Sequence, residues 1–199
     1  QPERAADGIA AVAAFNTILA AAAAAIGWTA VEWIDHRKPT LLGLLSGLVA
    51  GLVGITSAAG LVDPKGAFII GIVSGPACYA GAVWLKRALK YDDSLDVFGV
   101  HGIGGIVGAL MTGIFVNPAL GGTGVTNYAA ADATTTMVPY DFATQFMAQV
   151  WGVGTSVVLS AVVSFVALMI IKAVFGIRVS EQAEREGLDI STHGERAYN

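Results

Sequence analysis

One ionisable side chain stands inside an otherwise apolar, glycine-rich run. Residues 96–115 read Asp96-Val-Phe-Gly-Val-His101-Gly-Ile-Gly-Gly-Ile-Val-Gly-Ala-Leu-Met-Thr-Gly-Ile-Phe115. The run is long enough to cross a bilayer, and His101 is its only titratable interior group. Burying such a group in lipid is costly, so it usually faces a cavity or a pathway. Helical geometry puts Val97, His101, Gly104, Gly105, Gly108 and Thr112 on one side. Glycines on that side let a second backbone or a narrow solute approach. The imidazole can be a structural group bonded to a neighbouring helix, a proton relay or solute contact, or a metal ligand.

Other residues narrow the chemistry. The remaining histidines, His36 and His193, fall in a loop and in the polar tail, away from any intramembrane site. No cluster of His, Asp and Glu has metal-ligand spacing, and nothing calls for a cofactor. Ser46 and Ser74 lack the Gly-x-Ser-x-Gly setting of an exposed nucleophile, so an intramembrane serine protease is disfavoured and the chain reads as a non-enzyme. Asp92, Asp93 and Asp96 precede the His101 run. Asp93 and Asp96 fit an N-cap or first-turn role, where carboxylates complement the helix dipole; a second reading is docking of the tail. Thr56 ends an apolar run, where a hydroxyl commonly bonds back to helix carbonyls. Cys78, the single cysteine, reads as a small packing residue.

These residues need apolar elements to hold them. The chain is 55% hydrophobic and 13% charged, against roughly 45–50% and 25% in soluble domains. Its mean hydropathy is +0.66. This is the composition of an integral membrane protein. A net charge of −4 argues against a nucleic-acid partner. The first residues show neither an initiator Met nor a basic signal region, so the chain is expected to begin partway along a longer protein.

Five spans are expected at about residues 9–33, 41–62, 67–90, 97–116 and 141–175, with a tail over 176–199. The membrane-embedded region is therefore 1–175. Arg37, Lys38, Lys86, Arg87, Lys90, Arg178, Arg185 and Arg196 all fall on one side of this arrangement. The positive-inside bias then makes the tail cytoplasmic. Trp28, Trp33, Trp84 and Tyr140 lie near span ends, as in an aromatic belt, whereas Trp151 sits deeper and reads as packing. Gly43, Gly47 and Gly51 form a ladder of small residues that suits close helix contact. Pro76 can kink the third span.

Four segments carry a family resemblance. DDSLDVFGVHGIGGIVG over 92–108, with MTGIF at 111–115, closely resembles the tenth-helix region of ammonium transporters of the Amt/MEP/Rh family. EREGLDISTHGERAY over 184–198 is similar to that family's cytoplasmic tail. SGLVAGLVGIT over 46–56 and AAFNT over 13–17 resemble further segments.

The resemblance implies an all-α polytopic membrane protein: five transmembrane helices of an eleven-helix ammonium-transporter fold with an inverted repeat, followed by the tail. It implies a homotrimer in a cytoplasmic (inner) membrane, with a narrow hydrophobic pore through each protomer and ammonium or ammonia as substrate. His101 would be the second of two adjacent pore histidines. Val97 and Val49 would match apolar wall positions, and Thr56 a polar position in the outer half. Ammonium would lose its proton at the mouth, and the histidines would relay it. Asp93, Asp96, Gly187, Asp189, His193, Gly194 and Tyr198 would couple the tail to the cytoplasmic loops, where a PII-type signal protein would bind. The tail, with Leu188, Ile190 and Tyr198 among its charges, is expected to pack on those loops. The alternative is an ammonium sensor on the same scaffold. The first histidine and the outer aromatic gate have no counterpart in these residues.

Overall fold

The computed structural model describes residues 8–120, 125–126, 137–138 and 140–196. Long helices dominate: α1 (Gly8–His36), α2 (Leu41–Ile55), α3 (Pro64–Leu89), α4 (Phe98–Phe115) and α5 (Phe142–Val174). Two short helices follow, α6 (Glu181–Glu186) and α7 (Leu188–His193). A two-residue antiparallel ladder pairs β1 (Val125–Thr126) with β2 (Met137–Val138), Val125 opposite Val138. The chain divides into two compact units, Gln1–Val153 and Gly154–Asn199. Four helices, α1, α3, α4 and α5, are long and apolar enough to cross a membrane, and the protein is an all-α, multi-pass membrane protein.

In the first unit α1 packs against both α2 and α3, which also meet each other, and small residues set the spacing. A side chain at Gly47 would meet Trp28 Cβ at 2.7 Å and Ala25 Cα at 2.9 Å. One at Gly51 would collide with Ala20 and Ala21, and those at Gly71 and Gly75 with the carbonyls of Ala20 and Ala24. The alanines of α1 thus lie directly on the glycines of both neighbours, the close approach that membrane helices use in place of hydrophobic driving force. Pro76 lies inside α3. A side chain at Gly27 would meet Pro76 Cδ at 2.8 Å and the Ile72 carbonyl at 2.9 Å, so α1 packs where the proline interrupts the backbone ladder. Cys78 and Tyr79 are buried beside Trp28. Trp28 belongs to this core and not to an aromatic belt, meeting the Tyr79 ring edge-on at 5.4 Å. Trp151, read from sequence as packing, is exposed.

The second element is shorter than the apolar run that encodes it. A span over 41–62 is expected, yet α2 stops at Ile55 and turns occupy the residues to Leu61. At 1.5 Å per residue its 15 residues reach roughly 22 Å, short of a hydrocarbon core of about 30 Å. Non-helical backbone at such depth must be satisfied by protein. Asn16, fully buried in α1, donates from Nδ2 to the carbonyls of Ala59 and Val62, both at 2.8 Å. The N–H of Asn117 donates to the Leu61 carbonyl at 2.7 Å. Removing the Asn16 amide orphans two carbonyls, at about 1–3 kcal/mol for each unsatisfied buried group. Asn16→Ala is therefore expected to lower the melting temperature by several degrees. Asn16→Asp should lower it at least as much, because a carboxylate has no N–H to give. Unchanged melting of both purified variants would refute this role.

The N-terminus of α2 is fixed by its neighbour. Thr40 caps it through Gly43 N–H at 2.9 Å, and its hydroxyl donates in turn to Glu32 Oε1 at 2.8 Å. Glu32 is buried, against the side where Gly43 lacks a side chain. Asp63 caps α3 through Gly66 N–H, with Pro64 at the first helical position, so α3 begins three residues before the expected residue 67.

In the second unit Ser180 caps α6. Arg178 donates to both Glu184 oxygens, at 2.6 and 2.8 Å. That guanidinium holds the Glu184 carboxyl below the usual carboxylate range. Gly187 and Gly194 adopt φ of 94° and 69°, a backbone region in which a Cβ is strained. They begin and end α7, whose last residue is His193.

Candidate functional site

Asp93 starts the helix that carries the imidazole. Its two carboxylate oxygens accept the N–H groups of Val97 and Phe98, each at 2.9 Å. These donors would otherwise be orphans of the first turn. Asp96 takes a different part. It sits at φ 54°, and its Oδ1 accepts from Lys86 Nζ at 2.6 Å while that ammonium also reaches the Asp93 carbonyl at 2.6 Å. Lys86 thereby ties the end of α3 to the entry of α4.

The helix opens as a π-helix over Phe98–Ile103 and becomes α-helical from Gly104. A second π segment, Ala80–Leu85, lies within α3. The two meet at glycines: a side chain at Gly99 would strike the Ala82 backbone, and one at Gly81 would lie 2.8 Å from Ile103 Cγ1. Single π turns in long helices are frequent at functional sites. Here one of them, Phe98–Ile103, contains His101.

His101 is exposed and makes no side-chain hydrogen bond with another described residue. It lines two grooves. One, of about 390 Å³, is bounded by Val53, Thr56, Ser57, His101, Gly105 and Ala109. The other, of about 430 Å³, is bounded by Tyr91, Asp92, Asp93, Val97, Phe98, His101 and Gly102. The structure thus brings Thr56 to His101 in the first groove, and Val97 and Asp93 to it in the second. Val49 is 40% exposed on α2 and borders neither. Asp96 is engaged with Lys86. Gly187, Asp189, His193 and Gly194 lie in the second unit, and Tyr198 lies outside the described residues.

The small-residue side of α4 is not uniformly open. Gly104, Gly108 and Thr112 are buried: a side chain at Gly104 would meet Cys78 Sγ at 3.0 Å, and one at Gly108 would collide with the Gly54 carbonyl. A side chain at Gly105 would meet nothing within 4 Å. The end of α2, with Cys78 of α3, therefore covers Gly104, Gly108 and Thr112, while His101 and Gly105 stay exposed. Two hydroxyls border the first groove. Thr56 Oγ1 donates to the Leu52 carbonyl at 2.7 Å. Ser57 Oγ lies 2.7 Å from Thr112 Oγ1, which donates to the Gly108 carbonyl at 2.8 Å. Ser57 carries no signal in the sequence alone, because its partner lies 55 residues away.

His36 ends α1 and does not lie in a loop. It sits 3.4 Å from Asp35 Oδ2 and 3.5 Å from an Arg87 nitrogen. Among the described residues no group of three or more His, Cys, Asp or Glu could hold a metal.

The family model described as Ammonium Transporter Family matches residues 3–198. An ammonium transporter of Bacillus subtilis is 43% identical over 192 residues, covering 96% of this chain and 45% of that protein. One from Aquifex aeolicus is 44% identical over 190 residues, covering 96% and 42%. The chain thus spans less than half the length of these curated relatives. The crystal structure of Saccharomyces cerevisiae Mep2 superposes with a TM-score of 0.72 at 33% identity, over 85% of this chain and 39% of that one. A structure described as a sensor Amt protein shares the fold, with a TM-score of 0.78 at 24% identity, over 94% and 42%.

Proposed function

The chain belongs to the ammonium transporter family, and on that premise we propose that the whole protein carries ammonium or ammonia across the cytoplasmic membrane, with His101 inside the conducting path. The observation that carries this reading is the imidazole itself: exposed, unbonded to any described side chain, and set where two grooves meet on an apolar membrane helix. A bare ammonium ion pays heavily to leave water. Ammonia pays less, so loss of a proton at the mouth lets the neutral molecule enter an apolar lumen lined by Val97 and Val49. An imidazole can accept and donate in the same site. His101 steadies ammonia or passes on the separated proton, and Thr56 serves the outer half. Potassium has no proton to lose.

The lumen lies between this face and a second half of the protein related by an inverted repeat. The protein is a homotrimer with its C-terminus in the cytoplasm, where basic loops gather. The test is uptake of labelled methylammonium by cells that lack other ammonium transporters and express the full-length protein. Saturable uptake, absent from cells without the protein, is expected. Binding without uptake would replace this reading with a sensor.

The tail is proposed to couple to the cytoplasmic loops and to a PII-type partner. Leu188 and Ile190 remain 48% and 41% exposed, apolar surface suited to a covering face. Deleting residues 187–199 is expected to change the uptake rate at least twofold or to abolish the partner's effect. If neither changes, the tail has no coupling role.

A further inference from the structure

A hydroxyl has one proton to give and two lone pairs to offer. Thr112 Oγ1 gives its proton to the Gly108 carbonyl at 2.8 Å, since a carbonyl can only accept. In the 2.7 Å contact between Ser57 Oγ and Thr112 Oγ1, Thr112 therefore has no proton left, and Ser57 must be the donor. With the Thr112 proton on Gly108, the relay runs Ser57 to Thr112 to Gly108. Thr112 is 2% exposed and sits behind the groove, whereas Ser57 is exposed and borders it with His101. The Ser57 oxygen thus meets the groove with lone pairs only. Its neighbour Thr56 is in the same condition, having given its proton to the Leu52 carbonyl.

We propose that Ser57 contacts the substrate: its oxygen, held as an acceptor by Thr112, receives a hydrogen bond from a small N–H donor, ammonia or ammonium, in the groove that His101 also borders, about three helical turns along α4 from the imidazole. This rests on the ammonium reading above. Thr112 is the positioning residue. Without its oxygen the Ser57 proton is free to turn into the groove, where it would face the donor.

The experiment uses the full-length protein, with methylammonium as the probe. Ser57→Ala removes the acceptor. Thr112→Val replaces the orienting oxygen by a methyl of similar size, and Thr112→Ser keeps it. Ser57→Ala is expected to raise the half-saturation concentration about threefold to tenfold, the span of one hydrogen bond at 1.4 kcal/mol per tenfold. Thr112→Val should raise it less, Thr112→Ser should match wild type, and the double variant should be no worse than Ser57→Ala alone. Maximal rate and melting temperature should hold for Ser57→Ala. An unchanged half-saturation concentration in Ser57→Ala, or a loss confined to maximal rate and melting temperature, overturns the proposal and leaves only a staple between α2 and α4. Wild type that takes up no methylammonium overturns the transport reading itself. Should Thr112→Val fail to fold, Ser57→Ala, at an exposed position, decides the matter alone.

Discussion

His101→Ala is expected to reduce methylammonium uptake at least tenfold, or to leave flux and admit potassium, while the protein folds as before. Both halves of that expectation follow from the surroundings of the side chain. It is exposed and unbonded to any described residue, so its loss orphans no buried partner, and alanine is the best helix former. Yet it is the one titratable group in a helix that is otherwise apolar from Val97 to Phe115. A histidine placed there at a cost in lipid, with no structural bond in return, points to a role toward a solute. Glutamine retains hydrogen bonding at the site but cannot carry a proton. If hydrogen bonding to ammonia is the whole role, His101→Gln should retain most of the uptake. If proton transfer is required, it should fall with His101→Ala. The readouts are initial uptake rate, potassium inhibition and melting temperature. Wild-type flux with unchanged exclusion of potassium in His101→Ala would remove the relay from the mechanism.

That His101 could be picked out of the sequence, and Ser57 could not, reflects what each residue costs. An ionisable group inside an apolar run is anomalous on its own, whatever surrounds it. A serine after a threonine in a Gly-rich stretch is unremarkable until Thr112 is brought beside it. The long helices were legible for the same reason of cost: hydropathy sustained over 18 residues or more marks α1, α3, α4 and α5. The end of α2 was not, because Ala58, Ala59, Leu61 and Val62 continue the apolar composition through turns that Asn16 holds from another helix. The cue was present in Asn16, a buried amide that needs carbonyls, but its partners lie 43 and 46 residues away. The start of α3 could have been found from Asp63-Pro64, a cap followed by a helix-initiating proline. The π segments leave no residue signature; they follow from how α3 and α4 lie on each other at Gly81 and Gly99.

The glycines of α4 look alike in sequence and are expected to behave in opposite ways. Gly108→Ala drives a methyl into the carbonyl of Gly54. Neither backbone can yield without separating α4 from α2, which overpacking of this kind makes costly by about 1–3 kcal/mol or more. The melting temperature should fall by several degrees and the yield of folded protein with it. Gly105 faces open space. Gly105→Ala should leave the fold intact or firm it slightly, since alanine exceeds glycine in helix propensity by up to about 1 kcal/mol. Gly105→Leu then becomes the decisive variant. Its side chain enters the groove of about 390 Å³ that His101 and Thr56 border, from a Cβ that meets nothing within 4 Å. Uptake should fall at least tenfold while melting is unchanged, the reverse of Gly108→Ala, in which lost uptake tracks lost protein. Transport at the wild-type rate in a folded Gly105→Leu protein would mean that solute does not pass through this groove, and the path would have to be sought on another face of α4.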